Sequence, residues 1–315
     1  MGLLDWLKRR AGGGRPDAAD TAPARYDAAE LARRLDWPLA QLQATPVGYN
    51  EFQIPKRRGG TRTIAAPIPE LKRVQRRINR RLLARLPAHS CATGFERGHS
   101  IVTNAVTHAR QPVVVRMDLR DFFGSTRADR VRRYFRIIGW DDESADLLVR
   151  LCTHQGRLPQ GAATSPRLSN LVNIRLDARL EGMARRLNVR CRDPQARPSG
   201  LAVSYSRYAD DLTFSFSHDD RTAIAAVIRQ TKAIVADEGY RLHQKRKLHI
   251  RRRHQQQRVT GLVVNDGVRL PRDTRRWLRA VEHRVATGRD CTLSPQQLAG
   301  WRALAHMVRS QAASV

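Results

Sequence analysis

The sequence predicts an α+β protein, in which helices pack on strands that pair as hairpins. The helical signal is clearest in residues 69–86, where apolar residues recur at helical spacing: Leu71, Val74, Ile78, Leu82 and Leu86. The strand signal comes from two runs that flank Gly59-Gly60, and from a run of Tyr, Thr and Phe around Asp210-Asp211. Strands joined by a tight turn pair antiparallel, which is typical of this fold class.

The chain carries a large excess of positive charge. Its 315 residues include 58 Lys and Arg against 29 Asp and Glu, a formal net charge of +29. The excess predicts a polyanionic partner, because phosphate neutralisation dominates affinity for nucleic acid. A generally basic proteome is the alternative explanation. A membrane surface is the rival polyanion, but no apolar run reaches the length of a membrane span, and we expect no membrane partner.

The length allows one large domain or two to three subdomains. The four cysteines are scattered, without the spacing of a zinc site or a disulfide framework, and we expect reduced thiols in a cytoplasmic protein. Residues 1–25 hold a short apolar patch and a Gly-, Ala- and Pro-rich stretch, and we expect a flexible segment, not a secretory signal. Order should begin near Tyr26, with Asp27 capping a helix that carries Leu31 and Leu35.

Basic residues gather at the tip of the hairpin predicted around Gly59-Gly60. Lys56 and Arg62 are suited to bind a triphosphate, and an exposed hairpin with solvated charges is the alternative. The helix predicted after it has one apolar and one basic face. The basic face is either solvated or laid along nucleic acid, and the net charge favours contact.

Two further segments predict positions at which chemistry is done. A β-branched run from Val113 ends in Asp118, and a strand that delivers an acid at its end is a common way to build a metal site. Residues 158–161, Leu-Pro-Gln-Gly, predict a turn that leads into a helix with Leu168, Leu171 and Leu176. Residues 222–236 predict another amphipathic helix, and the last fifty residues a small helical module.

The pair Asp210-Asp211 interrupts a run that otherwise favours a strand. Aspartate is common in hairpin turns, so a plain turn is one interpretation. Two carboxylates this close repel each other, and a divalent cation such as magnesium, which prefers carboxylate oxygens, removes that penalty. From these residues alone, turn and metal site stay about equally favoured.

The order of the motifs resembles a reverse transcriptase over roughly residues 45–265: basic hairpin, Asp-ended strand, LPQG turn, YADD hairpin, basic segment and VTG turn. The resemblance implies a right-hand polymerase fold. Residues 26–95 would form the fingers and N-terminal helices, 96–258 the palm (an antiparallel sheet with packed helices) with inserted fingers elements, and 259–315 a short helical thumb.

Two boxes are similar to those of the retron group within that family. Asn104-Ala-Val-Thr-His108 matches its NAxxH box, and Val259-Thr260-Gly261 its VTG box. Group II intron enzymes carry a longer extension, for which we expect no room here, and enzymes of diversity-generating retroelements usually depart from LPQG. A group II intron-like enzyme, a non-catalytic RNA-binding scaffold with the same fold and an unrelated basic module remain the alternatives.

The resemblance implies roles for particular residues. Asp118 and Asp210 would hold two magnesium ions, with Asp211 in support, for attack of a primer hydroxyl on a deoxynucleoside triphosphate. Phe123 stands where the family has its sugar gate, and Gln160 should line the nucleotide pocket.

The fourth motif departs from the family pattern. His243 stands at the usual Asn position, Arg246 at the Lys position and Lys247 at the Thr position. That Lys is regarded as a general acid for pyrophosphate, and an arginine, which stays charged, is a poor proton donor. Lys245 or Lys247 would substitute, or the step would depend on water.

The retron resemblance also implies partners. The protein would bind a structured noncoding RNA, copy part of it into DNA from a 2′-hydroxyl of that RNA, and act with a separate effector protein in defence against phage. We expect residues outside the chemical centre to contact this RNA: Asn104 and His108, and the arginines Arg275, Arg276 and Arg279.

Overall fold

The computed structural model describes residues 25–56, 59–190, 201–243 and 248–313, without the side chains of 188–190. The helices are α1 Ala28–Leu35, α2 Leu39–Ala44, α3 Pro69–Arg81, α4 Ile101–Val106, α5 Phe122–Ser125, α6 Ala128–Ile137, α7 Asp142–Cys152, α8 Ser165–Leu171, α9 Ile174–Arg190, α10 Arg221–Asp237, α11 Arg272–Ala286 and α12 Pro295–Ala313. The strands are β1 Tyr49–Pro55, β2 Thr61–Pro67, β3 Val113–Asp118, β4 Val203–Tyr208, β5 Asp211–Phe216, β6 His249–Arg252, β7 Arg258–Val259 and β8 Leu262–Val263. The segment expected to be flexible, up to residue 24, lies outside the described residues.

The chain forms two compact units built from alternating segments. The first unit comprises the described residues of Met1–Phe95, Leu119–Leu180 and Lys232–Leu242. The second unit comprises those of Glu96–Asp118, Glu181–Thr231 and His243–Val315.

The first unit is mainly helical. Its helix α1 begins where the sequence predicts, because the Asp27 carboxylate accepts a hydrogen bond from the Glu30 amide at 2.8 Å. Leu31 and Leu35 of α1 are buried in a core that also contains Ile78 of α3. Helix α3 ends at Arg81, earlier than the apolar spacing predicts, and a 3₁₀ turn over Leu83–Arg85 follows.

The helix predicted after the LPQG turn is divided into α8 and α9. The break lies at residues 172–173, where the side chain of Asn173 donates to the carbonyl of Ser169 at 2.8 Å. Such a bond from an Asn side chain to a carbonyl four residues earlier competes with regular helix. The division therefore follows from a side-chain interaction that apolar spacing cannot detect.

The hairpin predicted around Gly59-Gly60 is confirmed as β1 and β2, which pair antiparallel from Tyr49 opposite Pro67 to Pro55 opposite Thr61. Gly161 of the LPQG turn lies against β2. Its φ is +132°, and a Cβ added there would approach the Ala65 carbonyl oxygen to 2.7 Å. Glycine is therefore required at that position, and the turn is held beside the hairpin.

The second unit contains an antiparallel sheet in the order β4-β5-β3-β6. Val113, Val115 and Met117 of β3 are buried, as the β-branched run predicts. Strands β7 and β8 pair across a two-residue turn at Thr260 and Gly261, whose φ angles are 47° and 85°. Positive φ at both positions is typical of the type I′ hairpin turn, which confirms the turn predicted at VTG.

The helical module predicted at the C-terminal end is confirmed as α11 and α12. Leu278 and Val281 of α11 pack against Leu298 of α12, and the rings of Trp277 and Trp301 meet edge to face at 5.0 Å. With the antiparallel sheet, these helices confirm the α+β class. Within the described residues, no helix combines the length and the apolarity that crossing a bilayer requires.

Candidate active site

Three carboxylates lie at one end of the sheet in the second unit. Strand β3 ends at Asp118, which is opposite Asp211, the first residue of β5. Tyr208, the last residue of β4, is also opposite Asp211, so Ala209 and Asp210 form the two-residue turn between β4 and β5. The pair Asp210-Asp211 therefore does mark a hairpin turn, and the same turn brings it beside Asp118.

The turn itself is held in an unusual conformation. Ala209 has φ of 55°, in the left-handed region that favours glycine. The side chain of Arg207, which is fully buried, donates to the Ala209 carbonyl oxygen at 3.2 Å. This internal contact stabilises the turn that carries Asp210.

Asp211 is paired with an arginine from the neighbouring strand. One terminal nitrogen of Arg116 donates to both carboxylate oxygens of Asp211, at 3.0 and 3.1 Å, and its other terminal nitrogen donates to the Arg258 carbonyl at 3.2 Å. Arg116 precedes Asp118 by two residues, so both side chains lie on one face of β3. The guanidinium offsets part of the repulsion between Asp118 and Asp211.

His243 contacts Asp118 through both its backbone and its ring. The His243 amide donates to the Asp118 carbonyl at 3.0 Å, and its Nε2 lies 3.4 Å from the Asp118 carboxylate. The fourth motif, in which His243 replaces the usual Asn, therefore begins beside the carboxylates. Lys245, Arg246 and Lys247 lie outside the described residues, so the choice of a general acid among them stays a prediction.

The donor chemistry of the carboxylates at this end of the sheet suits a divalent cation. Asp118 and Asp211 occupy directly opposed positions, where like charges destabilise a strand pair. Asp118 is only 13% exposed, and its oxygens are hard donors of the kind that magnesium prefers. Arg116 already engages the Asp211 carboxylate, and the roles of Asp118 and Asp210 as the principal ligands stay a prediction.

The two residues that define the NAxxH box are buried against strands β4 and β5. Asn104 and His108 are 1% and 0% exposed. The His108 ring nitrogens lie 2.7 Å from the Ser206 hydroxyl of β4 and 2.8 Å from the Ser215 hydroxyl of β5, and the Ser206 hydroxyl donates to the Asn104 side-chain oxygen at 2.8 Å. This burial corrects the expectation that Asn104 and His108 contact RNA, because neither side chain reaches the surface.

Burial and hydrogen bonds together determine the state of His108. Ser206 gives its only hydroxyl proton to Asn104, so it accepts from His108 Nε2. Burial lowers the pKa of His108 to about 3, so the ring is neutral near pH 7 and its Nδ1 accepts from the Ser215 hydroxyl. One neutral imidazole thus joins both strands of the hairpin that presents Asp210 and Asp211.

Four residues predicted to contact the nucleotide lie in the first unit, and Lys245 lies outside the described residues. Lys56 and Arg62 are exposed, near the tip of the β1–β2 hairpin. Gln160 lies next to that hairpin, because its carbonyl accepts from the Ala65 amide of β2 at 2.9 Å. Phe123 is half-buried in α5, with its ring 6.2 Å from that of Phe95.

The three arginines predicted to contact RNA form an exposed stripe on α11. Arg275, Arg276 and Arg279 are all exposed, and none forms an ion pair with another described residue. Unpaired guanidinium groups on one helix face keep their donors available for phosphate. That they contact RNA stays a prediction.

Sequence reasoning missed several residues that take part in hydrogen bonds within each unit. Arg116 was detectable, since strand alternation puts it on the face of Asp118. Tyr240, Thr126 and Asn173 were not, because their hydrogen bonds join positions up to 114 residues apart.

Comparison with known proteins agrees with the motif order. Residues 54–264 match the family model for reverse transcriptase (RNA-dependent DNA polymerase). The chain is 37% identical over 297 residues to the retron Mx162 reverse transcriptase of Myxococcus xanthus, covering 84% of this chain and 58% of that protein. It is 37% identical over 283 residues to the retron Mx65 enzyme of the same organism, covering 84% of this chain and 62% of that protein.

A third relative is matched over more of its own length. The retron Ec86 reverse transcriptase of Escherichia coli is 32% identical over 241 residues, which are 76% of this chain and 69% of that protein. The chain thus spans about three fifths of the length of the two Myxococcus relatives and more than two thirds of this one. With the carboxylates at the end of β3 and at the β4–β5 turn, these matches show that the chain belongs to the reverse transcriptase family, with its right-hand polymerase fold, and within that family to the bacterial retron type.

Proposed function

We propose that this protein is an RNA-directed DNA polymerase that copies part of a structured noncoding RNA into DNA. The observation that carries the proposal is the gathering of Asp118, Asp210 and Asp211 at one end of one sheet, in a chain of the retron type. A non-catalytic scaffold would have no need for three carboxylates together, of which Asp118 and Asp211 are directly opposed and repel each other.

In the proposed reaction, a primer hydroxyl attacks the α-phosphorus of a deoxynucleoside triphosphate. A new phosphorus–oxygen bond forms, the bond to pyrophosphate breaks and the hydroxyl loses its proton. Asp118 and Asp210 would hold the two magnesium ions, with Asp211 kept in place by Arg116. When bound, such ions supply the positive charge that stabilises the attacking and leaving oxygens.

Four residues would contact the incoming nucleotide. Lys56 and Arg62 would bind the triphosphate, since charge-assisted hydrogen bonds to phosphate are strong. Gln160 would line the pocket beside β2, and its neighbour Gly161 allows this close approach. Phe123 would lie under the sugar, where its ring excludes a 2′-hydroxyl.

We expect Phe123→Ala to admit ribonucleotides. Removing the ring opens space for a 2′-hydroxyl, so ribonucleotide incorporation should rise clearly while deoxynucleotide use falls only modestly. Single-nucleotide primer extension with each nucleotide type measures the ratio. The matched control is Phe135→Ala, a fully buried Phe of the same unit, which should lower both activities together. Unchanged selectivity in Phe123→Ala would move the gate elsewhere, with Phe122 as the next candidate.

The partner RNA would be recognised through its folded shape and unpaired bases. Phosphate contacts give affinity without sequence information, and a chain with net charge +29 binds any RNA at low salt. We propose priming from a 2′-hydroxyl of the partner RNA, which gives a branched RNA–DNA molecule, and action with a separate effector protein in defence against phage.

The branched product gives the test of this proposal. The RNA would be transcribed from an inverted-repeat gene that we expect in the DNA flanking the coding sequence. Incubated with this RNA and deoxynucleotides, the protein should make DNA that stays attached to the RNA through denaturation and is released by RNase. Extension of an annealed primer without attached product would support a reverse transcriptase of another kind, such as a group II intron-like enzyme.

We expect the triple substitution of Arg275, Arg276 and Arg279 by Gln to weaken RNA binding evenly across sequences. Each lost phosphate contact reduces the dependence of affinity on salt, so the slope of log affinity against log salt should become shallower by about 2. Filter binding from about 0.05 to 0.2 M salt measures the slope. Arg229→Gln, an exposed arginine of α10, is the control and should leave it nearly unchanged. A triple variant with the wild-type slope would remove α11 from the RNA interface.

A further inference from the structure

A buried tyrosine lies behind the proposed sugar gate. Tyr240 follows α10 in the first unit and is 1% exposed. Its ring lies 5.7 Å from the ring of Phe122, and the Arg130 guanidinium lies 5.0 Å from it on the ring face. Tyr240 is therefore enclosed by side chains and has no access to a nucleotide.

The hydroxyl of Tyr240 belongs to a directional chain of hydrogen bonds. The Thr126 hydroxyl donates to the Phe122 carbonyl oxygen at 3.0 Å, so in its 2.7 Å contact with Tyr240 it accepts. The Tyr240 hydroxyl in turn accepts from the Asn173 side-chain nitrogen at 2.9 Å. The chain thus runs from Asn173 through Tyr240 and Thr126 to the carbonyl of Phe122, and its side-chain members are all buried.

The Asn173 end of this hydrogen-bond chain is fixed by several further hydrogen bonds. Asn173 donates its second N–H to the Ser169 carbonyl at 2.8 Å and accepts from Arg130 at 3.0 Å. Arg130 also donates to the backbone and side-chain oxygens of Glu238, at 2.7 and 3.1 Å, and Arg179 donates to the same carboxylate at 2.8 Å. Every polar group of Asn173 is used, which leaves its side chain a single orientation.

The Phe122 end of this hydrogen-bond chain lies in α5, a short helix with few hydrogen bonds of its own. Helix α5 has four residues, and Asp121 before it has φ of 45°. Four residues allow few internal hydrogen bonds, so outside contacts must set the orientation of the helix. The carbonyl held by Thr126 belongs to Phe122, and the next residue is Phe123.

We infer that Tyr240 is a positioning residue for Phe123, and that its hydroxyl helps to set the preference for deoxynucleotides over ribonucleotides. The inference rests on the proposed function, in which Phe123 lies under the sugar. Tyr240 acts through the Phe122 backbone and touches neither substrate nor metal. A sugar gate works by a close steric contact, so a small displacement of the ring changes selectivity more than it changes the rate of deoxynucleotide addition.

Tyr240→Phe removes only the hydroxyl and so tests its role alone. The ring and its packing stay, while the Asn173 N–H loses its acceptor and the Thr126 hydroxyl loses its donor. A small misplacement of a reacting or gating group costs up to about a hundredfold in rate, so we expect the deoxynucleotide preference to fall about five- to tenfold. The rate with deoxynucleotides should change less than about threefold.

The protein contains residues that serve as matched controls. Tyr134 is also buried in the first unit, at 6% exposed, but its hydroxyl has no hydrogen-bond partner in the described part of the chain. Tyr134→Phe therefore removes a buried hydroxyl without breaking a hydrogen bond and should keep the wild-type preference. Thr126→Val should reproduce the loss of preference, and Thr126→Ser, which keeps the hydroxyl, should retain it.

The experiment uses the full chain with magnesium and an annealed primer–template. The ratio of kcat/KM for a deoxynucleotide to that for the matching ribonucleotide is measured for each variant, with thermal unfolding in parallel. A general loss of stability lowers both activities and leaves their ratio unchanged, so the ratio separates positioning from folding. If Phe123→Ala changes the ratio and Tyr240→Phe does not, or if Tyr134→Phe changes it equally, the inference is overturned. If Phe123→Ala has no effect, or the wild type extends no primer, the proposed function fails and this inference with it.

Discussion

Asp118→Asn and Asp210→Asn should each lower the rate of DNA synthesis by several orders of magnitude. Asparagine keeps the size of the side chain but removes the charge that holds a divalent cation. Loss of that cation removes several kcal/mol of transition-state stabilisation, and each about 1.4 kcal/mol is a factor of ten in rate. Primer extension with purified variants, followed over hours to detect slow activity, measures the effect.

RNA binding by the same variants should be retained or slightly increased, since each substitution makes the net charge more positive. Filter binding at about 0.15 M salt measures it. The control is Asp219→Asn, which removes a carboxylate from a surface ion pair with Arg252 just beyond β5 and should leave extension unchanged. Near-normal extension by Asp118→Asn or Asp210→Asn would remove the assignment of the metal site.

His108→Ala should damage every reaction of the protein equally. The substitution removes both hydrogen bonds of the ring, leaves the Ser215 hydroxyl without its partner and opens a cavity between α4 and the hairpin. Such losses cost about 2–4 kcal/mol, a large part of the stability of a typical domain. Extension of an annealed primer and initiation on the partner RNA, measured side by side at a permissive temperature, should fall together.

The pH dependence of stability gives a second measurement of the same variant. The folded-state pKa of His108 is lowered to about 3, against about 6.5 for an exposed histidine. The unfolded chain therefore binds a proton that the folded chain does not, and stability falls as the pH drops below about 6.5, by about 2 kcal/mol at pH 5. His108→Ala lacks this contribution, so its unfolding should depend less on pH.

His99→Ala, which alters an exposed histidine just before α4, is the control and should keep the wild-type pH dependence. A His108→Ala variant that extends primers normally but fails to initiate on RNA would contradict the positioning role. It would restore the direct RNA contact that the sequence predicts for the NAxxH box.

The amino-acid sequence by itself determined the fold class, the order of the main elements and the candidate carboxylates. Apolar spacing predicted α3 and α10, Gly59-Gly60 predicted the β1–β2 hairpin, and Asp27 predicted the start of α1. These features depend on neighbours close in the chain, where helical and strand periodicity, turn residues and caps act directly. The order of the motifs indicated the reverse transcriptase family over roughly residues 45–265, and the family model matches residues 54–264.

Only the tertiary structure decided what several of the polar residues do. The sequence predicted Asn104 and His108 as RNA contacts, because a polar box outside the chemical centre is consistent with a surface. Folding instead brings Ser206 and Ser215, about a hundred residues later, against them. Likewise, nothing local pairs Arg116 with Asp211 or joins Tyr240 to the backbone of Phe122. Hydrogen bonds between distant segments depend on which side chains the fold buries together, and no short-range pattern records that.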